Sequence, residues 1–270
     1  MPNFTVNDET KATINYEVHP GLAIENVFFI HGNLASNRWW YPAQEFWQQS
    51  SKGKNYTGSL IYAEFRGCGL SSAPGSDADV DMHLFADDFI ALVRSLNIGP
   101  VHLVGHSTGG LIVPLMLAKA PELFIKAVML DPVSAQGVTF DPKMIGAFEQ
   151  MKVDKDLVGV VLGSTIHGND PDSVFFKTVV VEDAFKAVKS VGHLVLKAID
   201  QFDVREEVSK IPHSVLVLHG EHDNLLDVNE SRKFAALIKN AEFRILEGQG
   251  HCMNVEDPEK FVKTVQQFLF

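Results

Sequence analysis

An α/β fold, with a mostly parallel eight-stranded sheet and helices on both of its faces, is what this 270-residue chain predicts on three observations. Short apolar runs alternate with runs of helical period from Val27 to Leu130 and again from Val215 onward. Parallel strands need such crossovers, because no tight turn can join them. One strand-to-helix junction carries Gly105-His106-Ser107-Thr108-Gly109, a serine between two glycines. Between 134 and 210 the alternation stops and helical patterns take over. The expected organisation is therefore a core of residues 1–133 and 211–270, with 134–210 inserted as a helical cap, or lid, over the carboxyl ends of the strands.

Eight strands are expected. Thr5-Val6 and Ala12 to Val18 are joined through Asn7-Asp8-Glu9, and Val27 to Ile30 is a buried run ending at His31-Gly32-Asn33-Leu34. Ser36 or Asn37 is placed to cap a helix over Arg38–Gln49 that carries Trp39, Trp40, Phe46 and Trp47. Leu60 to Ala63 is the fourth strand, followed by the glycine-rich Glu64–Ser71 loop. Asp81 caps a helix with Phe85, Phe89, Leu92, Val93 and Leu96 at 3.6-residue spacing. Val101 to Val104 and Ala127 to Leu130 are strands flanking a helix, inside which Pro114 should cause a kink or end a hydrogen-bond run.

In the insertion, helical patterns cover Pro142–Met151, Leu157–Leu162, Val174–Lys189 and His193–Ile199, with a short strand conceivable at Val179–Val181. Val215–Leu218 and Phe243–Leu246 complete the sheet around a helix capped by Asn229, and Asp257-Pro258 opens the last helix.

Composition narrows the function. A net charge of −11 with no offsetting basic run argues against nucleic acid and against an anionic membrane surface. The amino-terminal stretch lacks a basic-then-apolar leader, and no run has the length of a membrane span, so a cytoplasmic protein is expected. Cys68 and Cys252 cannot form a disulfide framework and lack the spacing of a zinc site. No cofactor or metal is expected, and a monomer or homodimer is.

Ser107 is the candidate nucleophile. A serine on a tight strand-to-helix turn crowds the residues two places either side, which explains Gly105 and Gly109. A hydroxyl needs a base, and the base needs an orienting acid. Residues just past the strand ends converge on one crevice, so the partners should lie on the loops there. Of eleven histidines, His251 stands in such a loop, whereas His106 adjoins the serine and His31 and His219 end strands. Asp223 is the preferred acid and Asp131, which also follows a strand, is its rival. For the oxyanion, Thr108 offers one backbone amide and Asn33 the other, with Leu34 as alternate. Leu34, Trp39, Phe148 and Phe175 are expected to contact substrate, and Met144, Met151 and Phe176 are further candidates for an apolar pocket.

His31-Gly32-Asn33, Gly105–Gly110, His219–Asp223 and Gly248–His251 resemble the oxyanion loop, nucleophile elbow, acid loop and histidine loop of the α/β-hydrolase superfamily, and Phe65–Pro74 resembles its glycine-rich segment. The resemblance implies an α/β-hydrolase fold and a Ser-Asp-His triad acting on a small-molecule ester, lactone or related acyl substrate. Relatives that use aspartate as nucleophile differ at Ser107. Cleavage of a carbon-carbon bond or formation of a peracid on the same triad, and a slow-turnover ligand receptor, are the alternative readings.

Overall fold

The computed structural model describes residues 2–21, 25–50, 58–139, 142–200 and 202–270. Within the expected core and cap, positions 1, 22–24, 51–57, 140, 141 and 201 lie outside the described residues. Eight strands form one sheet: β1 (Asn3–Thr5), β2 (Thr13–His19), β3 (Asn26–Ile30), β4 (Leu60–Ala63), β5 (Val101–His106), β6 (Phe124–Leu130), β7 (Ser214–Gly220) and β8 (Ala241–Leu246). Their order is β1-β2-β4-β3-β5-β6-β7-β8. The β1–β2 and β2–β4 pairs are antiparallel, and every pair from β4 to β8 is parallel.

Burial on both faces explains why the central strands read as unbroken apolar runs. In β3 all five residues are buried. Phe28 and Ile30 point into one cluster, shared with helix α2 (Met82–Leu96) and helix α3 (Thr108–Lys119). Val27 and Phe29 point into the other, where the Phe29 ring lies 5.2 Å from Trp40 and 5.3 Å from Trp47. Helix α1 (Tyr41–Ser50) and helix α11 (Pro258–Leu269) cover that second face. In α11 the buried residues are Phe261, Val262, Val265 and Leu269, each worth roughly 1.5–3 kcal/mol of apolar burial.

Caps fall where short polar side chains precede helical runs. Ser36 accepts from the Arg38 amide ahead of α1, Asp81 from Leu84 at the start of α2, and Asp257 from Lys260 at the start of α11. Helix α9 (Val228–Leu237) corrects the expected cap: Asp227, two residues earlier than supposed, accepts from the Asn229 amide. Helix α3 runs through Pro114 without ending. Its residues from Thr108 to Leu117 are buried, so packing on both sides holds a helix from which Pro114 has removed one hydrogen bond.

Between β6 and β7 the described chain is helical: α4 (Pro142–Met151), α5 (Lys155–Thr165), α6 (Val181–Ala187), α7 (His193–Ile199) and the single turn α8 (Arg205–Val208). The strand considered at Val179–Val181 is absent. Residues 174–199 form one helical run, widened to π geometry over Phe176–Val180 and Val188–Gly192. Val180, Ala184, Ala187, Val188 and Val191 are fully buried there, and helical spacing puts them on one face toward the rest of the chain. No helix among the described residues is long and apolar enough to cross a membrane.

Candidate active site

Three strand ends build the site. Ser107 sits between β5 and α3 at φ 53°, ψ −115°, a conformation that non-glycine residues rarely adopt. The backbone around it holds that strain. The Ser107 amide donates to the Leu130 carbonyl at 2.9 Å, and the Ser107 carbonyl accepts from Val133 at 3.2 Å. Both flanking glycines are forced by close approach. A Cβ at Gly105 would stand 2.3 Å from the Gly109 carbonyl oxygen, and one at Gly109 would stand 2.3 Å from that of Ile30. Leu34, after β3, and Asp131, after β6, also have positive φ, 61° and 43°. Strain thus gathers at the carboxyl ends of β3, β5 and β6, as it does where geometry serves chemistry.

His251 follows β8 and Asp223 follows β7. The His251 Nδ1–H donates to Asp223 Oδ2 at 2.7 Å, and Asp223 Oδ1 accepts from the Leu225 and Leu226 amides at 2.7 and 3.1 Å. Burial pushes the Asp223 carboxyl up, but His251 and those two amides outweigh it and leave it below the ordinary aspartate value. Asp131, the rival acid, is fully buried with Oδ1 on the Gly220 amide at 2.7 Å. Burial and then the Asp223 charge push its carboxyl well above the ordinary range.

The buried histidines His106, His31 and His219 each bond a neighbouring backbone or hydroxyl group. Burial pushes His106 down to about 3, so the ring is neutral and its Nε2–H donates to the His251 carbonyl at 2.8 Å. His106 therefore turns toward His251 and fastens that residue's loop to the elbow. His31 bonds the Gly32 carbonyl through Nδ1 at 2.7 Å, and His219 Nδ1 meets Ser231 Oγ at 2.9 Å. Cys68 and Cys252 are free and buried.

Thr108 begins α3, where first-turn amides have no helical acceptor. The Leu34 amide is engaged by Asn33 Oδ1 at 2.9 Å, which removes it as the alternate oxyanion donor. Asn33 Nδ2 in turn donates to the Gly192 carbonyl at 3.0 Å, tying the loop after β3 to the second widened stretch of the 174–199 helix.

Ser107, Thr108, Asn33, His251, Leu34, Trp39 and Phe148 all border one apolar cavity of about 480 Å³, to whose wall α4, α5 and α7 also contribute. Met144 and Met151 border it too. Phe175 does not, which corrects its expected substrate contact. It is half-buried at the start of the 174–199 helix and packs against the core, as Phe176 does beside it. The 3.6-residue period tells which residues share a helix face but not which face meets the cavity.

Glu256 escaped sequence reasoning. From the short helix α10 (Met253–Glu256) its carboxylate accepts the Gly250 and Cys252 amides at 2.6 and 3.0 Å, bracketing His251. The same carboxylate takes the His167 amide, after α5, at 2.9 Å. Its one sequence signal is a glutamate five residues past the candidate base.

A mostly parallel sheet whose strand ends bring a strained serine and a carboxylate-bonded histidine to one cavity defines the α/β-hydrolase class. Residues 27–264 match the alpha/beta hydrolase family, and the chain belongs to it. It is 27% identical to the non-heme chloroperoxidase CPO-A1 of Kitasatospora aureofaciens, over 90% of this chain and 91% of that protein. It is 23% identical to carboxylesterase YbfK of Bacillus subtilis, over 90% of this chain and 80% of the relative. The enol-lactonase of Burkholderia xenovorans superposes with a TM-score of 0.82 at 20% identity, covering 99% of both chains, a likeness of fold.

Proposed function

We propose that the protein is a serine hydrolase of small carboxylic esters or lactones with an apolar acyl or alcohol portion, working through an acyl-enzyme in the cytoplasm. The observation that carries this reading is the His251–Asp223 bond of 2.7 Å on the same cavity as the strained Ser107. With Nδ1 committed to Asp223, Nε2 is the nitrogen left to take the Ser107 proton. The Ser107 oxygen attacks the acyl carbon, and the Asn33 and Thr108 amides receive the oxyanion, each donor worth a few kcal/mol of barrier. The imidazolium of His251 then protonates the departing alcohol. A water that gives its proton to the same ring releases the acid, or the hydroxy acid when the substrate is a lactone.

The cavity supports the substrate class. Met144, Phe148, Met151, Leu162, Leu196 and Ile199 present hydrocarbon from the 134–210 segment, which we read as the cap domain on the 1–133 and 211–270 core. Hydrocarbon makes up most of that wall, so an apolar acyl or alcohol group would leave water on binding there. Kinship with carboxylesterase YbfK supports the ester chemistry, and kinship with chloroperoxidase CPO-A1 supports a second reading in which hydrogen peroxide replaces water on the acyl-enzyme to give a peracid.

Ser107→Ala is the test. It should abolish hydrolysis of p-nitrophenyl butyrate and labelling by a fluorophosphonate, with the circular dichroism spectrum unchanged. Undiminished turnover in the variant would overturn the assignment.

A further inference from the structure

The buried carboxyl of Asp131 plays no part in the mechanism above, yet it lies against the acid that does. One oxygen each from Asp131 and Asp223 and one ring nitrogen of His251 all fall within 4.8 Å of one another. Asp131 is wholly inaccessible to solvent, and its Oδ1 is held by the Gly220 amide. Its Oδ2 is buried with no hydrogen-bond partner among the described residues. An ionised oxygen left so would cost several kcal/mol.

Among the described residues no cation pairs with a second charge, and five titratable groups face the pair, one of them the buried Cys252 thiol, which burial keeps neutral. His219 stands 3.5 Å from Asp131 Oδ1 and 3.8 Å from Asp223 Oδ2, but burial pushes its ring down, so it stays neutral. His106 from β5 is likewise neutral. Glu256 adds a negative charge, and His251 already serves Asp223. No lysine or arginine forms an ion pair with either carboxyl among the described residues.

We propose that Asp131 and Asp223 hold one proton between them, and that Asp131 is a positioning residue whose O–H donates to the Asp223 carboxylate. The proposal rests on the triad reading above. Two carboxyls at such range cannot both ionise cheaply, so one keeps its proton, as in other buried carboxyl pairs. Of the two, Asp223 is the one with three donors on its oxygens, so it carries the charge and Asp131 the proton. Burial and the Asp223 charge both push the Asp131 carboxyl well up, in the same sense. The consequence is a single negative charge behind His251. Two charges there would over-stabilise the imidazolium and leave the ring a poor base near neutral pH.

The decisive variant is Asp131→Asn, which keeps the shape, tolerates the positive φ at 131 and offers an N–H where the proposal puts an O–H. Its kcat on p-nitrophenyl butyrate should stay within about threefold of wild type, and the acid limb of its kcat/KM profile should stay in place. Asp131→Ala, which loses the donor, should lower kcat roughly 10- to 100-fold with KM little changed. Infrared spectra at neutral pH should contain the carbonyl stretch of a buried protonated carboxyl in wild type and in Ser107→Ala, and lose it in Asp131→Asn.

If Asp131 is ionised instead, replacing it by neutral Asn should move the acid limb down by about one pH unit or more, and no such infrared band should exist. Either result overturns the proposal, as does an Asp131→Ala enzyme of wild-type rate. Should wild type fail to cleave any ester, the functional reading falls, while the infrared band still decides the carboxyl pair.

Discussion

Replacing Asp223 by Asn tests the acid on its own geometry. Oδ1 of residue 223 accepts two amides, from Leu225 and Leu226, so an asparagine there keeps its carbonyl oxygen on them and turns its NH2 toward His251 Nδ1. That nitrogen, which donates at 2.7 Å in the native pair, must then become an acceptor. The ring proton moves to Nε2, and the base has no lone pair left for the Ser107 hydroxyl. In a serine protease the equivalent tautomer change lowers kcat about 10⁴-fold, about 5.5 kcal/mol of barrier, and a loss of that order is expected here. Initial rates on p-nitrophenyl butyrate under saturation measure it, with urea unfolding to show that the variant is folded. A variant within tenfold of wild type would refute the reasoning and pass the acid role to another group, with Asp131 first in line.

Phe148 borders the cavity, so Phe148→Ala should shift preference toward longer acyl chains. Each newly housed methylene is worth ~0.8 kcal/mol, about fourfold in kcat/KM, which a series of p-nitrophenyl esters would reveal. Arg66 is fully buried, with Nε and Nη2 on the two oxygens of Asp88 at 2.7 and 2.8 Å. Arg66→Met strands that carboxylate and should cost about 3–5 kcal/mol in urea unfolding; a loss under 1 kcal/mol would contradict the arrangement. Burial lowers His31 to about 4, against an unfolded value near 6.5. The stability this neutral ring contributes is present above pH 6.5 and is lost as the pH falls toward 4, because the unfolded chain takes up the proton first. Relative to His31→Phe, wild type should therefore lose about 1.4 kcal/mol per pH unit across that window, and parallel stability curves would argue against a neutral His31.

Much of this was legible in the chain itself. Buried runs such as Val27 to Ile30 carry no polar residue that would confuse their reading, and crossover helices with one apolar face leave only a parallel sheet to cover. The elbow was legible because backbone contacts at 2.3 Å admit nothing larger than glycine at positions 105 and 109. Capping was nearly so, missing by two residues at Asp227, where several polar side chains compete for one helix start.

What the linear order could not supply was distance. Asp131 and Asp223 lie 92 positions apart and both follow strands, so both looked fit to be the acid; the pairing of β6 with β7 puts the two carboxyls side by side and gives His251 to Asp223. Phe148 and Phe175 were alike in composition and setting, and only the packing of the 134–210 helices turned one to the cavity and the other away. Glu256, gathering three backbone amides from two distant segments, had no pattern to announce it. Local rules act over a few residues and leave their mark in sequence, whereas contacts between strand ends depend on how the whole sheet closes.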